Sequence, residues 1–98
     1  MGACTFQSVG CGKTAKEAFT GLREIALHEY GHRGYSGTIA EKDSFIEVTV
    51  AKSIIEDRAA LQAKIDELTN TQFDDKWGPA GCIKIDADKY VFFGWASE

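Results

Sequence analysis

The segment from Tyr90 to Trp95 constrains the fold most, because its apolar residues occupy consecutive positions rather than alternate ones. Side chains of a strand alternate between the two faces of its sheet, so Phe92 and Phe93 place large apolar groups on both faces. The helices of the same chain can cover one face. The other face then needs a further apolar partner, and the sequence predicts a second copy of this chain. The two copies would meet edge to edge or face to face, in a homo-oligomer that is a dimer or larger.

Two amphipathic stripes predict helices between the candidate strands. Thr14 and Glu17 form a capping box, and apolar residues then recur at helical spacing up to about Tyr30, where Gly31 suits a terminating residue. A second capping box begins at Ser53 and opens the second helix. Both helices are therefore expected to bury one apolar side.

Strands predicted at 3–9, 38–42, 45–50, 82–86 and 89–95 alternate with these helices. A chain of 98 residues has no room for a second core. We therefore expect one α+β domain over residues 1–98, in the order β-α-β-β-α-β-β. Both helices should pack on one face of a mainly antiparallel sheet of about five strands.

The charge and the apolar pattern exclude several functional classes. Fifteen acidic against eleven basic residues give a net charge of -4, which speaks against non-specific nucleic-acid binding. No stretch reaches the ~20 apolar residues of a membrane span, and no secretory signal is recognisable. The three cysteines form no Cys-x-x-Cys pair, so free thiols in a cytoplasmic protein are expected.

One short segment matches a zinc-hydrolase motif. His28, Glu29 and His32 read His-Glu-x-x-His, in which two imidazoles hold zinc while the glutamate polarises a water molecule. Gly31 weakens the helix between them, and the chain has no other histidine to complete the ligand set. The alternative is a helix end where the histidines favour the negative end of the dipole. We expect no metal and no catalytic residue, and keep a minimal zinc hydrolase as an alternative.

The segment 31–37 combines glycines with groups that bind nucleotides. His32 and Arg33 supply cations, Gly34 allows close backbone approach, and Tyr35 supplies a ring. Phosphate or nucleobase recognition needs that combination. A tight connection between a helix and a strand, with Tyr35 in the core, explains the segment equally well.

A second loop has the same character. Lys76, Trp77 and Gly78 precede the only proline, and a tryptophan there is either a lid over the core or a stacking platform for a ligand. Trp95 in the last strand is a further stacking candidate. Lys13 could hold an anion with the first amides of the first helix, or it could lie in a capped flexible turn.

The segments EYGHRGYSGTIAEK (29–42), KWGPAGCI (76–83) and FFGWAS (92–97) resemble those of a group of small bacteriophage proteins of unassigned function. The resemblance extends over nearly the whole chain. In that group a tyrosine–glutamate pair can stand where His28 and Glu29 are here, which implies that the zinc motif is accidental. Because small phage proteins often counter host defence, the resemblance implies such a role in the host bacterial cytoplasm.

These observations predict a non-catalytic protein that sequesters a small nucleotide-like immune signal, of the cyclic ADP-ribose or cyclic dinucleotide class, without a cofactor. The alternative from another class is a protein–protein inhibitor of a host nuclease complex, of the anti-CRISPR type, that uses its acidic surface. The residues expected to bind the nucleotide are Lys13, His32, Arg33, Gly34, Tyr35, Lys76, Trp77, Gly78 and Trp95.

Overall fold

The computed structural model describes residues 2–30 and 38–97. These residues contain four strands and three α-helices. The sheet is mixed and has the order β1-β4-β3-β2, so the predicted α+β class is confirmed. The strands are β1 (Ala3–Cys11), β2 (Phe45–Glu47), β3 (Ala80–Asp86) and β4 (Lys89–Ser97). The helices are α1 (Ala15–Tyr30), α2 (Lys52–Glu56) and α3 (Arg58–Thr69), with a 3-10 helix over Ile39–Glu41.

The last strand organises the sheet. β4 pairs antiparallel with β3 across the turn that follows Asp86, as expected from the strands predicted at 82–86 and 89–95. On its other side β4 pairs antiparallel with the whole of β1, from Ala3 opposite Ser97 to Cys11 opposite Lys89. The short β2 runs parallel to β3, which makes the sheet mixed. The described chain therefore has four strands rather than about five.

The strand predicted at 38–42 is absent, and a 3-10 turn takes its place. The Thr38 hydroxyl accepts a hydrogen bond from the Ala40 backbone N–H at 3.2 Å, which caps the turn. Ile39 and Ala40 are buried in the core instead of alternating along a strand. The prediction was wrong because a local hydroxyl bond and burial outweigh β propensity here.

The two faces of β4 serve two separate apolar clusters. Phe92 packs with Phe19 of α1, and their ring centres are 5.5 Å apart. Phe93 belongs to the second cluster with Ile65 of α3 and Ile83 of β3. Because neighbouring strand residues point to opposite faces, α1 and α3 contact opposite faces of the sheet.

This arrangement corrects the prediction that both helices lie on one face. Phe93 is fully buried, and α3 of the same chain supplies its cover. The consecutive pair Phe92 and Phe93 therefore needs no second copy of the chain. Because α3 covers this face, the burial of Phe93 does not require an oligomer.

The second predicted helix is interrupted. It divides into α2 and α3 at Asp57, whose carboxylate accepts hydrogen bonds from the N–H groups of Ala59 and Ala60 at 3.1 and 3.3 Å. Asp57 is therefore the N-cap of α3. The predicted capping box at Ser53 is wrong, because α2 has Ala51 at its N-cap and no side-chain cap there.

Two glycines permit close approaches that build the sheet. A Cβ at Gly10 would lie 2.9 Å from Leu22 of α1, so this glycine lets α1 cross β1 closely. A Cβ at Gly81 would lie 2.4 Å from the ring of Phe93 on the neighbouring strand. The predicted first strand ends at Val9, whereas β1 continues through Gly10 to Cys11.

Candidate ligand-binding site

A cleft opens between α1 and the start of β2, and we call it the α1–β2 cleft. Its volume of about 420 Å³ lies in the range of ligand pockets. Six of its lining residues belong to α1 and recur at spacings of three and four along one side of that helix. The lining residues are Lys16, Phe19, Thr20, Arg23, Glu24, Leu27, Asp43, Ser44 and Phe45.

The floor of the cleft is aromatic. The rings of Phe19 and Phe45 have their centres 5.0 Å apart and are tilted by 48°. Phe45 also meets Phe92 edge-on at 5.5 Å, so the floor is continuous with the core. Phe45 is half-buried, which leaves part of its ring available to a ligand. A planar apolar group would find offset or edge contacts there.

Arg23 supplies the principal cation of the cleft wall. Its Nη2 donates to the Ala40 carbonyl at 3.3 Å and lies 4.0 Å from an Asp43 carboxylate oxygen. Its Nε is buried and has no hydrogen-bond partner among the described residues. A buried N–H without an acceptor costs about 1–3 kcal/mol. The Arg23 side chain is 31% exposed and lines the cleft, so its terminal nitrogens can donate to an anion there.

The rim of the cleft carries charges of both signs. Lys16 is exposed two helical turns before Arg23, so both cations stand on the same side of α1. Glu24 and Asp43 bring carboxylates to the same rim, and the Asp43 side chain is fully exposed. The cations can bind an anionic group while the carboxylates restrict where that group lies.

The predicted loop around Trp77 is exposed. The Trp77 residue is 64% accessible, and the Lys76 ammonium lies 5.2 Å from its ring centre, within cation–π range. The Trp77 backbone N–H donates to the Asp75 carboxylate at 2.9 Å, which fixes the turn. The Trp77 side chain is therefore largely exposed to solvent and does not cover the core.

A buried lysine holds this loop in place. Lys42 is 1% accessible, and its ammonium donates to the carbonyls of Asp75, Lys76 and Gly78 at 3.3, 3.2 and 2.8 Å. Burial lowers the pKa of Lys42, while the negative charge of Asp75 opposes that change. Sequence patterns missed this role because lysine is almost never fully buried.

The segment after Lys42 connects the loop to the cleft. Ser44 lines the cleft, and its carbonyl accepts a hydrogen bond from the Ala80 N–H at 3.0 Å, just beyond the loop. Asp43 and Phe45 line the cleft on either side of Ser44. The loop and the cleft are therefore both fixed by residues 42–45, although Trp77 does not line the cleft.

The structure separates the predicted binding residues. Lys76 donates to the Gly2 carbonyl at 3.4 Å, beside the start of β1. Lys13 follows Gly12, whose N–H donates to Asp88 at the opposite end of β1. The nine residues of β1 put these ends about 27 Å apart, at about 3.3 Å per residue. Lys13 is therefore not in one pocket with Lys76.

The remaining predicted residues divide into two groups. Trp95 lies in β4 opposite Thr5 and is half-buried, and Gly78 accepts the bond from Lys42. The other four lie outside the described residues. They are His32, Arg33, Gly34 and Tyr35.

The zinc motif gains no support from the described residues. His28 and Glu29 are exposed near the end of α1, and His32 lies outside the described ranges. Within residues 2–30 and 38–97, no three His, Cys, Asp or Glu side chains are grouped to hold a metal ion.

The thiols differ sharply in environment. Burial, with a smaller effect from the charge of Glu47, raises the pKa of the Cys82 thiol to about 12. Cys82 is fully inaccessible, so it is held as an inert, protonated core thiol. Cys11 is exposed at the end of β1. Cys82 therefore does not act as a nucleophile.

No family model, curated protein or solved structure matches this chain. Over the part of the chain that the structure describes, no helix is both long enough and apolar enough to cross a membrane. The α1–β2 cleft and the loop around Trp77 are therefore the features from which a function is proposed. The spacing of Lys16 and Arg23 on α1 is a sequence signal that could have indicated one wall of the cleft. The other wall comes from the distant residues 43–45, which the spacing does not reveal.

Proposed function

We propose that the protein is a non-catalytic binding protein that sequesters a small nucleotide-like ligand in the α1–β2 cleft. The observation that carries the proposal is that the partly exposed Arg23 guanidinium and the aromatic pair Phe19 and Phe45 line the same cleft. A nucleotide has a planar base and an anionic phosphate, which are the two groups that such a cleft accommodates.

The base is proposed to contact the aromatic floor. Phe45 is half-buried and lies with Phe19 in a pair whose ring centres are 5.0 Å apart. Leu27 extends the apolar lining toward the end of α1. Contact with this floor removes both the base and the rings from water, and aromatic pairing adds about 0.5–1.5 kcal/mol.

The phosphate is proposed to contact the cations of α1. The Arg23 guanidinium is planar and can donate two parallel hydrogen bonds to phosphate oxygens. Lys16 adds a second cation on the same side of the helix. Glu24 and Asp43 disfavour a ligand with several phosphates packed against the rim, since like charges repel.

A cyclic ADP-ribose or a cyclic dinucleotide matches this requirement better than a nucleoside triphosphate does. Such ligands carry few phosphate charges for their aromatic area. The role in phage counter-defence is proposed on the sequence resemblance. A sequestering protein would serve this role because it lowers the free concentration of a signal without cleaving it.

Calorimetric titration with cyclic ADP-ribose, a cyclic dinucleotide, AMP and inorganic phosphate tests the proposal. We expect a cyclic nucleotide to bind more tightly than AMP, and phosphate to bind weakest. Chromatography of the released ligand should recover it chemically unchanged. Arg23→Gln should weaken binding about 10- to 100-fold, the loss expected for charge-assisted hydrogen bonds.

Two variants serve as references for that titration. Lys16→Gln removes the exposed second cation and should weaken binding less than Arg23→Gln does. Arg58→Gln removes an exposed cation at the start of α3, away from the cleft, and should leave affinity unchanged. The proposal is overturned if no nucleotide of the panel binds, or if the Arg23 and Arg58 variants bind equally well.

A second candidate function, inhibition of a partner protein, is favoured by Trp77 alone. Its accessible indole is presented on a loop fixed by Lys42, and rigid exposed tryptophans are common anchors at protein interfaces. Trp77→Ala would then abolish capture of a host nuclease complex while nucleotide affinity stays at the wild-type value. Unchanged capture by the variant would reject this candidate.

A further inference from the structure

We infer that the outer edge of β1 is an interface for a second copy of this chain. β1 is the outermost strand of the sheet and pairs only with β4 among the described residues. Its nine residues pair with β4 in continuous register, without a bulge. Among residues 2–30 and 38–97, no strand pairs with the opposite side of β1, which presents a straight row of backbone donors and acceptors to a further strand.

The sequence of β1 lacks the features that normally prevent edge pairing. ACTFQSVGC contains no charged residue and no proline. Edge strands in monomeric proteins are commonly protected by lysine, proline, bulges or short length. The other edge strand, β2, is protected by its length of three residues and carries Glu47. Only β1 of these two edges is suited to extend the sheet.

The occupant is a second copy because the edge is neutral in an acidic protein. The net charge of -4 opposes contact between copies over most of the surface. Along β1 two copies meet without like charges, and each brings a strand of the same length. Antiparallel pairing about a two-fold axis satisfies both edges at once. A charged partner would gain no ion pair from this strand.

Exposed apolar side chains flank the edge on both faces of the sheet. Val9 is 53% accessible and stands opposite Val91, on the α3 side. Ile25 is 57% accessible on α1, which contacts the other face. A shallow groove of about 310 Å³ beside the edge is lined by residues of both β1 and α1. Strand pairing would cover these groups from water.

In the proposed dimer the two four-stranded sheets become one continuous sheet. The interface is isologous, so the same nine-residue edge is used by both copies. Of the two contacts predicted from the sequence it is the edge-to-edge one, since α3 covers the sheet face that a face-to-face contact would use. The dimer forms without a ligand, so its existence and nucleotide binding are tested separately.

Light scattering after gel filtration of the ligand-free protein tests the interface. We expect a dimer whose fraction rises with protein concentration. Val9→Lys introduces charge on each copy beside the paired edges and should shift the protein to monomer. Thr49→Lys adds the same charge at an exposed position just beyond β2, near the other edge, and should leave the dimer intact.

Hydrogen exchange provides a measurement that needs no variant. Amides of β1 that point away from β4 should exchange more slowly at high than at low protein concentration, whereas amides of α3 should not change. The inference is overturned by a monomeric wild type at every concentration. A dimer that persists in the Val9 variant, or that leaves the exchange of β1 unchanged, overturns it as well.

Discussion

The Lys42 ammonium lies 2.8 Å from the Gly78 carbonyl oxygen, and this bond joins segments 36 positions apart. Two further carbonyls of the same loop accept from the same nitrogen. The loop around Trp77 is thus held by the Lys42 side chain and by the Asp75 carboxylate, which accepts from the Trp77 N–H, rather than by a strand. Its conformation therefore depends on Lys42, which directly precedes the cleft-lining residues 43–45.

Replacement of Lys42 by methionine should loosen this loop. The variant keeps a long side chain but leaves three carbonyls without their shared donor, so we expect a loss of about 1–3 kcal/mol in the free energy of unfolding. Urea denaturation measures the loss, and the anisotropy of tryptophan fluorescence, to which Trp77 and Trp95 both contribute, should fall. Lys52→Met removes only an exposed helical ion pair, so its effect should stay within about 0.5 kcal/mol. Equal effects of the two substitutions would contradict the role of Lys42.

Stability should fall in alkali because of Cys82. Burial and the charge of Glu47 raise the pKa of Cys82 to about 12 from its ordinary 9.0, so the unfolded thiol ionises first. Above pH 9.0 the folded state binds more protons, and its free energy of unfolding falls by up to about 1.4 kcal/mol per pH unit. Burial lowers the pKa of Lys42, which acts in the opposite direction up to its ordinary value of 10.5.

The Cys82→Ala variant isolates the thiol from the lysine. Both proteins contain Lys42, so the difference between their pH profiles reports Cys82 alone. Urea denaturation at increasing pH should show the wild type losing stability relative to the variant from pH 9.0 upward. Parallel profiles would show that the thiol ionises equally in both states.

Two glycine substitutions should act in opposite directions. Gly81→Ala places a methyl group 2.4 Å from the Phe93 ring, and we expect overpacking to cost about 1–3 kcal/mol. Gly21 lies inside α1, where an added Cβ meets nothing within 4 Å. Gly21→Ala should therefore stabilise the helix by about 0.5–1 kcal/mol. Thermal unfolding of both variants tests the packing, and a destabilised Gly21 variant would contradict it.

The division between α2 and α3 can be tested at Asp57. Asp57→Ala removes the acceptor for two orphan amides and should cost about 1 kcal/mol. Ser53→Ala serves as the comparison, because Ser53 is exposed and caps no helix. If denaturant titration showed a larger loss of stability for Ser53→Ala than for Asp57→Ala, the result would support one continuous second helix capped at Ser53.

Local patterns predicted the elements whose stability is local. The capping Thr14 accepts a hydrogen bond from the Glu17 N–H at 3.1 Å, and α1 ends at Tyr30 as expected. The β3–β4 hairpin follows from the alternation of Ile83 and Ile85 in β3 and from the turn residues between Asp86 and Lys89. These features depend on neighbours within a few positions, so the sequence order contains the information.

The cover of each sheet face was not predictable in the same way. Consecutive Phe92 and Phe93 correctly indicated that both faces of β4 are buried. Periodicity does not state which element covers which face, because contacts such as Ile65 with the Phe93 cluster join distant segments. The α1–β2 cleft escaped notice for the same reason: Arg23 and Asp43 meet only after the chain has folded.

The pairing of Ala3 with Ser97 has a consequence for the newly made chain. Of the four described strands, β1 leaves the ribosome first and its partner β4 leaves last. Until β4 emerges, an uncharged nine-residue strand has neither of its edges paired. Strands exposed in this way invite misassembly during synthesis. Delayed completion of the sheet therefore makes the yield of folded protein sensitive to translation rate and chaperone supply.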